Sequence, residues 1–565
     1  MKSPGGVRAS QLITTFGPGS IVDFRSDSVM IMGLDKWSNR PEDYYIVQEP
    51  RLQTRLNVSS FRQPRSFGNR GGIPAISFPK YRVCSECKAL KADFQKDKKG
   101  QYVCSCKGKG VVTYPARFIS SCTNGHIQDF PWIEWCHKGE DVCSNPSLRL
   151  ITRGQSSSLD DIVVRCSCGA HNHLGGALKK GAFSKINVEC KGHSPWLGTS
   201  GGCDRKARGL QRGASNVYFS STISALSIPP WTDDIQQLVS SQWNRILSNI
   251  NRRGLENVEL ILDVLFPEAN EQELKKIFQA IIDQYRMSQK GTDIHYEEWK
   301  AFQDTKKVTK HFHIEEEEVH SAISKFVERI VLAHRLREVR VLRGFTRIDY
   351  PDPYDTSEVG YSKLSNTDKD WLPAVEVLGE GIFIQLNENS LKEWEEKVNE
   401  HGRYKSLLKR YQDWRLEKGW EEDDKFSPRF ILLHSLSHAL IQELSLSSGY
   451  SSNSIREKIY ASPDMCGILL YTASADSDGS LGGIIQQGRK DQFNKLLHQT
   501  INRAKICSSD PLCSESENLV ENSLNLAACH ACQLVAETSC EWSNRLLDRL
   551  SLFQSEENEI GFFDL

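Results

Sequence analysis

The sequence lacks the features that mark exported, membrane-spanning and ATP-hydrolysing proteins. No window of its 565 residues approaches eighteen consecutive apolar residues, and the first twenty residues contain no apolar signal core. We therefore expect a cytoplasmic protein with no membrane span. The sequence also has no G-x-x-x-x-G-K-[ST] phosphate-binding loop, so we expect no ATP hydrolysis by this chain alone. It has no G-x-S-x-G motif, no kinase signature and no carboxylate cluster that specifies a nuclease, so no enzyme class is indicated.

Cysteine, by contrast, is abundant, with 17 residues. Disulfides do not explain them in a cytosolic protein, because the cytosol keeps thiols reduced. Many occur as C-x-C or C-x2-C pairs, the spacing with which a tight turn presents two thiolates to one tetrahedral ion. One such pair could belong to a redox site, but repeated pairs favour structural zinc. We expect two to four Zn²⁺ ions.

The cysteines fall into four candidate sites. The first has the spacing of a zinc ribbon and consists of Cys84, Cys87, Cys104 and Cys106. The second offers Cys122, His126, His137 and Cys143, with Cys136 as a competing thiol. The third consists of Cys166, Cys168, Cys190 and Cys203. The last has five thiols for four ligand positions, and spacing alone does not show which is the bystander among Cys507, Cys513, Cys529, Cys532 and Cys540.

Charge is distributed unevenly along the chain, although the net charge is only −1. Residues 1–230 carry 32 Lys and Arg against 17 Asp and Glu, whereas the remaining residues carry 39 against 55. A basic region with zinc-type cysteine pairs favours a polyanionic partner, most simply DNA. The alternative is that the two oppositely charged parts pack together. Four residues beside the third site are candidate phosphate contacts, or else form a solvated basic loop: Arg205, Lys206, Arg208 and Arg212.

Composition and periodicity predict an α+β multidomain protein with a β-rich zinc-ribbon N-terminal part, a helical middle and an α/β C-terminal domain with a structural zinc cluster. The predicted segments are a β-rich segment at 1–80, a cysteine-rich zinc-ribbon region at 81–230, a helical domain at 231–345, a mixed connecting region at 346–426 and the C-terminal domain at 427–565. Within the helical domain, residues 319–344 are compatible with one long amphipathic helix.

His434 and His438 lie four residues apart in a predicted helix and therefore on one face. Such a pair can hold a metal ion, and Glu443 is near in sequence. The motif is not H-E-x-x-H, because Ser435 occupies the position of the general base. Two interpretations stay open: packed core histidines, or the centre of a metal-dependent nuclease.

Several long motifs carry a specific resemblance: QLITTFGPGSIVDF, RFISSCTNGHIQDFPWIEW, LQRGASNVYF, LHSLSHALI, GILLYTASADSDGSLGG and ACHACQLVAETSCEWSNRLLDR. Together they resemble the DrmB family of the DISARM antiphage defence system over nearly the whole chain. The last segment is also similar to the zinc-binding C-terminal domain of certain DNA-repair helicases, which makes the C-terminal domain helicase-associated.

The resemblance implies a non-motor subunit with no catalytic residues, paired with a separate DrmA-type helicase that hydrolyses ATP. It also implies that the complex acts on DNA during phage restriction, for which we expect single-stranded or overhang-containing DNA. A scaffold with no DNA contact is a further possibility.

Overall fold

The computed structural model describes the chain except residues 1–4, 26, 66–71, 109, 154–157, 232–233, 291–292, 307, 352–360, 418–419, 421–426, 473–481 and 516–523. Its contacts group the residues into two compact units. Unit 1 contains residues 1–47, 60–223 and 340–375, and unit 2 contains residues 48–59, 224–339 and 376–565. Both units are therefore discontinuous in sequence. The five consecutive segments expected from composition stay a prediction.

The helices and strands are numbered in chain order. The helices are α1 Ala9–Thr14, α2 Pro50–Leu56, α3 Trp132–Cys136, α4 Asp234–Ser241, α5 Trp243–Arg253, α6 Leu262–Leu265, α7 Glu271–Lys290, α8 Ile294–Gln303, α9 Glu388–Val398, α10 Gly402–Glu417, α11 Pro428–Ser448, α12 Gly483–Gln487 and α13 Lys490–Ala504. The strands are β1 Ile21–Asp23, β2 Ser28–Ile31, β3 Tyr44–Val47, β4 Ser60–Pro64, β5 Ala75–Ser77, β6 Arg82–Cys84, β7 Ala89–Lys91, β8 Gln95–Lys96, β9 Tyr102–Cys104, β10 Val111–Pro115, β11 Phe118–Ser121, β12 Ile127–Asp129, β13 Leu148–Thr152, β14 Ile162–Cys166, β15 His171–His173, β16 His193–Ser194, β17 Thr199–Ser200, β18 Arg208–Gln211, β19 Phe219–Leu226, β20 Phe312–Glu317, β21 Val327–Thr346, β22 Trp371–Leu386, β23 Ile455–Tyr460 and β24 Gly467–Thr472.

Unit 1 is built mainly from short antiparallel strands, as the N-terminal sequence predicts, with one parallel pairing of β4 and the start of β22. One sheet has the order β15-β14-β13-β7-β6-β10-β9-β8, and a smaller sheet has the order β12-β11-β18. The register of the smaller sheet pairs Ser121 with Arg208 and Ser121 with Ile127. The ends of β11, β12 and β18 therefore lie together, and this places the loops that follow or precede them in contact range.

An aromatic cluster forms the core of the cysteine-rich part of unit 1. The ring centroids of Phe130 and Trp132 lie 4.7 Å apart, and those of Phe130 and Phe183 lie 5.4 Å apart. Trp132 and Phe130 are each 1% exposed. The D-F-P-W segment thus packs its rings inward, and it fixes the start of α3, which contacts β14 and β15.

Unit 2 combines helices with longer strands. Helices α4 to α8 lie in the predicted helical middle, and α9 and α10 occupy the charged segment that was expected to be helical. Strand β24 pairs with β22 on one side and with β23 on the other, both antiparallel. Helix α11 is buried along most of its length and packs on β23, β24 and α13. The C-terminal region therefore has the mixed α/β character that the sequence predicts.

The prediction of a long helix through residues 319–344 is wrong. Residues 312–317 and 327–346 form strands β20 and β21, which pair antiparallel, for example Phe312 with Leu336 and Glu317 with Ile330. Strand β21 is buried on both faces for most of its length, and Arg337 and Glu338 are buried along with its apolar residues, so its sequence shows no regular period of two. Its Val and Ile residues favour an extended backbone, and pairing with β20 outweighs the helical spacing.

Across the described ranges, no helix combines the length and the apolar composition that a membrane span requires.

Candidate metal centres and nucleic-acid surface

The first cysteine site has the geometry expected of a zinc ribbon. Cys84 ends β6 and Cys104 ends β9, and each is followed within three residues by its partner in a tight turn. The Sγ atoms of Cys84 and Cys106 lie 3.8 Å apart, as do those of Cys87 and Cys104. A tetrahedral zinc with Zn–S bonds of about 2.3 Å separates its sulfurs by about 3.8 Å. The four thiols are therefore spaced to share one ion.

The second tetrad consists of Cys122, His126, Cys190 and Cys203. Cys122 and His126 flank the turn between β11 and β12, and Cys203 lies on the approach to β18, which pairs with β11. Cys122 Sγ is 3.5 Å from His126 Nδ1 and 3.9 Å from Cys203 Sγ. Sheet pairing thus closes a site whose ligands are up to 81 residues apart.

The third tetrad consists of His137, Cys143, Cys166 and Cys168. His137 directly follows α3, and because α3 packs on β14, its imidazole reaches the C-x-C pair at the end of that strand. The Nε2 atom of His137 is 3.5 Å from Cys168 Sγ, and Nδ1 is 2.8 Å from the carbonyl oxygen of Ile133. That carbonyl accepts the Nδ1 proton, which leaves Nε2 as the metal-binding nitrogen.

The structure groups the residues of the predicted second and third sites differently from the sequence-based assignment. Each sequence-local pair stays together, but Cys122 and His126 join Cys190 and Cys203, whereas the other two pairs combine with each other. Cys136, the competing thiol, lies outside both tetrads. Its Sγ lies 3.6 Å and 3.4 Å from two backbone carbonyl oxygens in a buried environment.

The fourth tetrad consists of Cys507, Cys513, Cys529 and Cys532. The Sγ distances are 3.5 Å between Cys507 and Cys529, and 3.6 Å between Cys513 and Cys532. Cys540, the fifth thiol of this region, is absent from the tetrad and lies 3.2 Å from the Nε2 atom of His434. Cys540 is therefore the thiol that does not belong to the cysteine site, which spacing alone could not show.

The thiol separations exclude disulfides and suit metal ligation. All 17 cysteines are free, and the closest sulfur pairs in the four tetrads are at least 3.5 Å apart, against about 2.05 Å in a disulfide. All four positions of each tetrad come from protein, as in structural sites. Each tetrad is thus compatible with one structural zinc ion.

Hydrogen bonding lowers the pKa of one thiol in each tetrad and favours there the thiolate, the form that binds zinc. The hydrogen bond from the Cys190 thiol lowers the pKa of Cys122 to about 5. The thiol of Cys513 acts likewise on Cys532 and lowers its pKa to about 6. Burial instead raises the pKa of Cys136, which lies outside the tetrads, to about 11. The same hydrogen bonds raise the pKa of the partner thiols Cys190 and Cys513, so the lowered pKa is confined to one thiol of each tetrad.

The four candidate DNA-contacting residues differ in their availability. Arg205 has a side chain that is 60% exposed, and Lys206 is exposed as well. Arg208 lies half-buried in β18. Arg212 is 18% exposed, with Nε 2.9 Å from Asp23 Oδ1, and it donates to the Ala116 carbonyl oxygen. Arg212 therefore has a structural role, and the loop before β18 offers the more exposed cations.

A cleft of about 1110 Å³ lies in unit 1. We call it the arginine cleft, and its lining includes Phe24, Arg25, Tyr114, Arg117, Gln211 and Arg212. Two carboxylates also line it, and each is paired with a cation: Asp23 with Arg212, and Asp27 with the nearly buried Arg82 at 2.7 Å. Arg25 and Arg117 are exposed, so they supply positive charge that these ion pairs do not neutralise.

The fold and the four tetrads define a multi-zinc protein with structural metal sites in both units. A protein-family profile for the MrfA Zn-binding domain matches residues 436–533, a range that includes all four cysteines of the fourth tetrad. Residues 8–219 match a second profile, for a domain of unknown function designated DUF8724. The zinc site implied by the MrfA-type profile thus coincides with a tetrad whose spacing fits the ion.

Over its whole length the chain is similar to a protein of Bacillus paralicheniformis, the DISARM protein DrmB, with 35% identity over 567 residues that cover 96% of this chain and 99% of the relative. The chain belongs to the DrmB family, which confirms the resemblance found in the sequence. Among solved structures, the DUF1998 helicase MrfA bound to DNA matches with 10% identity and a TM-score of 0.20. That match covers 36% of this chain and 22% of the helicase chain.

Proposed function

We propose that this chain is a non-motor subunit of a DISARM-type antiphage complex, which binds DNA for a separate DrmA-type helicase. The similarity to the DISARM protein DrmB carries the proposal, because it extends over 96% of the chain rather than over one domain. In this proposal the four tetrads are structural zinc sites that hold the fold, and the chain performs no chemistry. ATP hydrolysis belongs to the helicase.

The arginine cleft is the proposed DNA site. Arg25 and Arg117 are exposed in its lining, and Tyr114 exposes 45% of its surface there. Cations along a groove attract phosphates, and an exposed aromatic ring lets an unpaired base stack on it. This combination suits single-stranded DNA, whose bases are free to stack. Arg205 and Lys206 lie on the loop that leads into β18, whose last residue, Gln211, lines the cleft.

The test is the affinity of the purified full chain for a labelled duplex with a single-stranded overhang, at two salt concentrations. For the double variant Arg25→Ala/Arg117→Ala we expect at least tenfold weaker binding. We also expect the slope of log K against log salt concentration to be shallower by about 1.4, because each phosphate contact with a single strand contributes about 0.7 to that slope. The variant Arg205→Ala/Lys206→Ala should reduce affinity by a smaller factor.

The matched control is Lys179→Ala/Lys180→Ala, which removes the same charge from exposed residues of unit 1 outside the cleft lining. Equal weakening by the control would indicate a general charge effect and would contradict the assignment to the cleft. Unaltered affinity in every variant would contradict DNA binding by unit 1.

The helicase partnership has its own test. Co-expression with a DrmA-type helicase should yield a complex that survives size-exclusion chromatography, with DNA-stimulated ATPase activity that the isolated chain does not show. ATP hydrolysis by the chain alone would overturn the non-motor assignment. If no complex forms but the chain still binds DNA, the proposed helicase partnership is wrong and the proposed DNA binding is unaffected.

The alternative function, a metal-dependent nuclease centred on His434 and His438, meets a steric obstacle. Both side chains are 0% exposed, so a phosphodiester cannot reach their nitrogens in this structure. Incubation of DNA with the chain and Mg²⁺, Mn²⁺ or Zn²⁺ should therefore give no cleavage. Cleavage by the unaltered chain that is lost in the variant His438→Ala would support the nuclease alternative.

A further inference from the structure

A second group of metal-ligating side chains lies in unit 2, separate from its cysteine tetrad. It consists of His434 and His438 on α11, Glu457 on β23, and Cys540 near the C-terminus, with all four ligand atoms within 4.8 Å of one another. His434 Nε2 is 3.2 Å from both Cys540 Sγ and Glu457 Oε1, and His438 Nε2 is 3.4 Å from the same oxygen. Ligands of a tetrahedral zinc with Zn–N and Zn–O of about 2.1 Å and Zn–S of about 2.3 Å lie about 3.4 to 3.6 Å apart, close to these distances.

The anionic members of this group are held by hydrogen-bond donors. The hydroxyl of Ser437 donates to Oε2 of Glu457 and leaves Oε1 facing the histidines. The backbone N–H groups of Trp542 and Asn544 each donate to Cys540 Sγ at 3.2 Å. The surroundings therefore fix the positions of the Glu457 carboxylate and the Cys540 sulfur beside the two imidazoles.

The imidazoles are arranged as metal ligands rather than as satisfied core histidines. His438 Nδ1 lies 2.8 Å from the carbonyl oxygen of Gln533, an acceptor that fixes the proton on Nδ1 and frees the Nε2 lone pair. In the described part of the chain, His434 Nδ1 and His438 Nε2 make no hydrogen bond, although His438 Nε2 lies 3.4 Å from Glu457 Oε1. Buried polar atoms are rarely left unpaired. A metal ion bound to His438 Nε2 would give that nitrogen a partner.

We infer that His434, His438, Glu457 and Cys540 form a further structural Zn²⁺ site in unit 2. Two neutral imidazoles, one carboxylate and one thiolate carry a charge of −2, which Zn²⁺ cancels in a place where both histidines and Glu457 have fully buried side chains. Nitrogen, oxygen and sulfur donors in one tetrahedral set suit Zn²⁺. The protein fills every position, so the site is closed to substrate.

The site joins three parts of unit 2 that the chain does not connect locally. Helix α11, strand β23 and the C-terminal coil each supply a ligand. Gln533, whose carbonyl orients His438, directly follows Cys532 of the cysteine tetrad. The two sites therefore share a backbone link, and loss of one ion is expected to loosen the other.

The test is metal content and metal position in the full-length chain. Elemental analysis of the purified protein should give five zinc ions per chain, one for each Cys/His group. Cys540→Ser and Glu457→Gln should each lose one equivalent, or nearly two where the neighbouring tetrad is loosened as well. The matched control is Cys466→Ser, which changes a buried cysteine of unit 2 that belongs to no group and should keep all five.

Anomalous scattering at the zinc edge from crystals of the unaltered chain locates the ions without any variant. A peak between His434, His438, Glu457 and Cys540 supports the inference even if the variants do not fold. No peak there, with the peak at the neighbouring cysteine tetrad present, overturns it and leaves a buried histidine–glutamate ion pair. Neither outcome depends on DNA binding or on a helicase partner.

Discussion

The cysteine-rich part of unit 1 and the helical part of unit 2 reach a folded state by different means. From β6 to β18, the strands of unit 1 are two to five residues long and alternate with turns. Unit 2 has helices of 20 and 21 residues, α7 and α11, and α11 is buried along most of its length. Short strands bury little apolar surface by themselves, whereas an apolar helix packed on a sheet buries much more.

Metal placement follows this contrast. Three of the four cysteine-based tetrads lie in unit 1, each at the ends of short strands. Because those strands are marginal alone, the zinc ions substitute for a larger core, as they do in small metal-dependent domains. In unit 2 the cysteine tetrad lies in the C-terminal coil. The helices have a hydrophobic core of their own, which includes Trp243, Ile246 and Ile281. The dependence of folding on zinc should therefore differ between the units.

Zinc removal is the largest perturbation we predict. Treatment with a strong chelator should unfold the cysteine-rich part of unit 1, because a structural zinc site contributes about 10–16 kcal/mol to folding in small zinc domains. Limited proteolysis with mass mapping should show early cuts within residues 81–210, while helices α4 to α8 stay protected and most of the circular dichroism at 222 nm remains.

Restoration with excess Zn²⁺ is the control, since it separates loss of the ion from damage by the chelator. Proteolysis of both units at the same rate would contradict the prediction that unit 1 depends more on zinc than unit 2. An unaltered digestion pattern, with zinc loss verified by elemental analysis, would show that the aromatic core of unit 1 is sufficient by itself.

Buried arginines provide a second, smaller comparison. In unit 2, Arg403 Nε is 2.8 Å from Asp548, whose side chain is 0% exposed. Arg403→Met should lower the free energy of unfolding by about 3–5 kcal/mol, because it leaves a buried carboxylate without its cation. In unit 1, Arg347 is 0% exposed and donates to the carbonyl oxygens of Gly19, Gly125 and Val217.

Arg347→Met should cost less, about 2–4 kcal/mol, because it leaves neutral carbonyls rather than a charge without a partner. Burial lowers the pKa of Arg347 to about 9. Urea unfolding of the zinc-loaded protein measures both changes, and Arg165→Met, at an exposed arginine of β14, is the control with little expected effect. A larger loss for Arg347 than for Arg403 would reverse the comparison.

The same contrast explains what the sequence could and could not predict. The cysteine pairs are local, so spacing identified Cys84, Cys87, Cys104 and Cys106 as one site. Pairing between distant half-sites depends on sheet register and on how α3 packs, which is why His137 was not assigned to Cys166. The zinc-binding role of the C-terminal segment was predictable because its ligands lie within 26 residues, as the MrfA-type profile confirms.

Strand β21 shows the limit for secondary structure. Its sequence satisfies the three- and four-residue spacing of a helix, and burial on both faces removes the alternation that would have identified a strand. The grouping of Cys540 with His434 is a matter of tertiary structure as well, since 106 residues separate them. One local signal existed, because the C-terminal cluster has five thiols for four ligand positions. The fifth thiol, Cys540, must therefore either pack in the core or have another partner.

The smallest predicted effects concern the two cysteines outside all five groups, one in each unit. Cys136 is 1% exposed in the core of unit 1, and Cys466 is 2% exposed in unit 2, where its thiol donates to the Leu386 carbonyl oxygen. Cys136→Ala and Cys466→Ala should each retain every zinc ion and cost only about 1–2 kcal/mol, because each removes one small buried atom from a packed core. Elemental analysis and urea unfolding measure both quantities. Zinc loss in Cys136→Ala would mean that this thiol competes for the tetrad of His137, and the division of unit 1 cysteines into ligands and core residues would have to be redrawn.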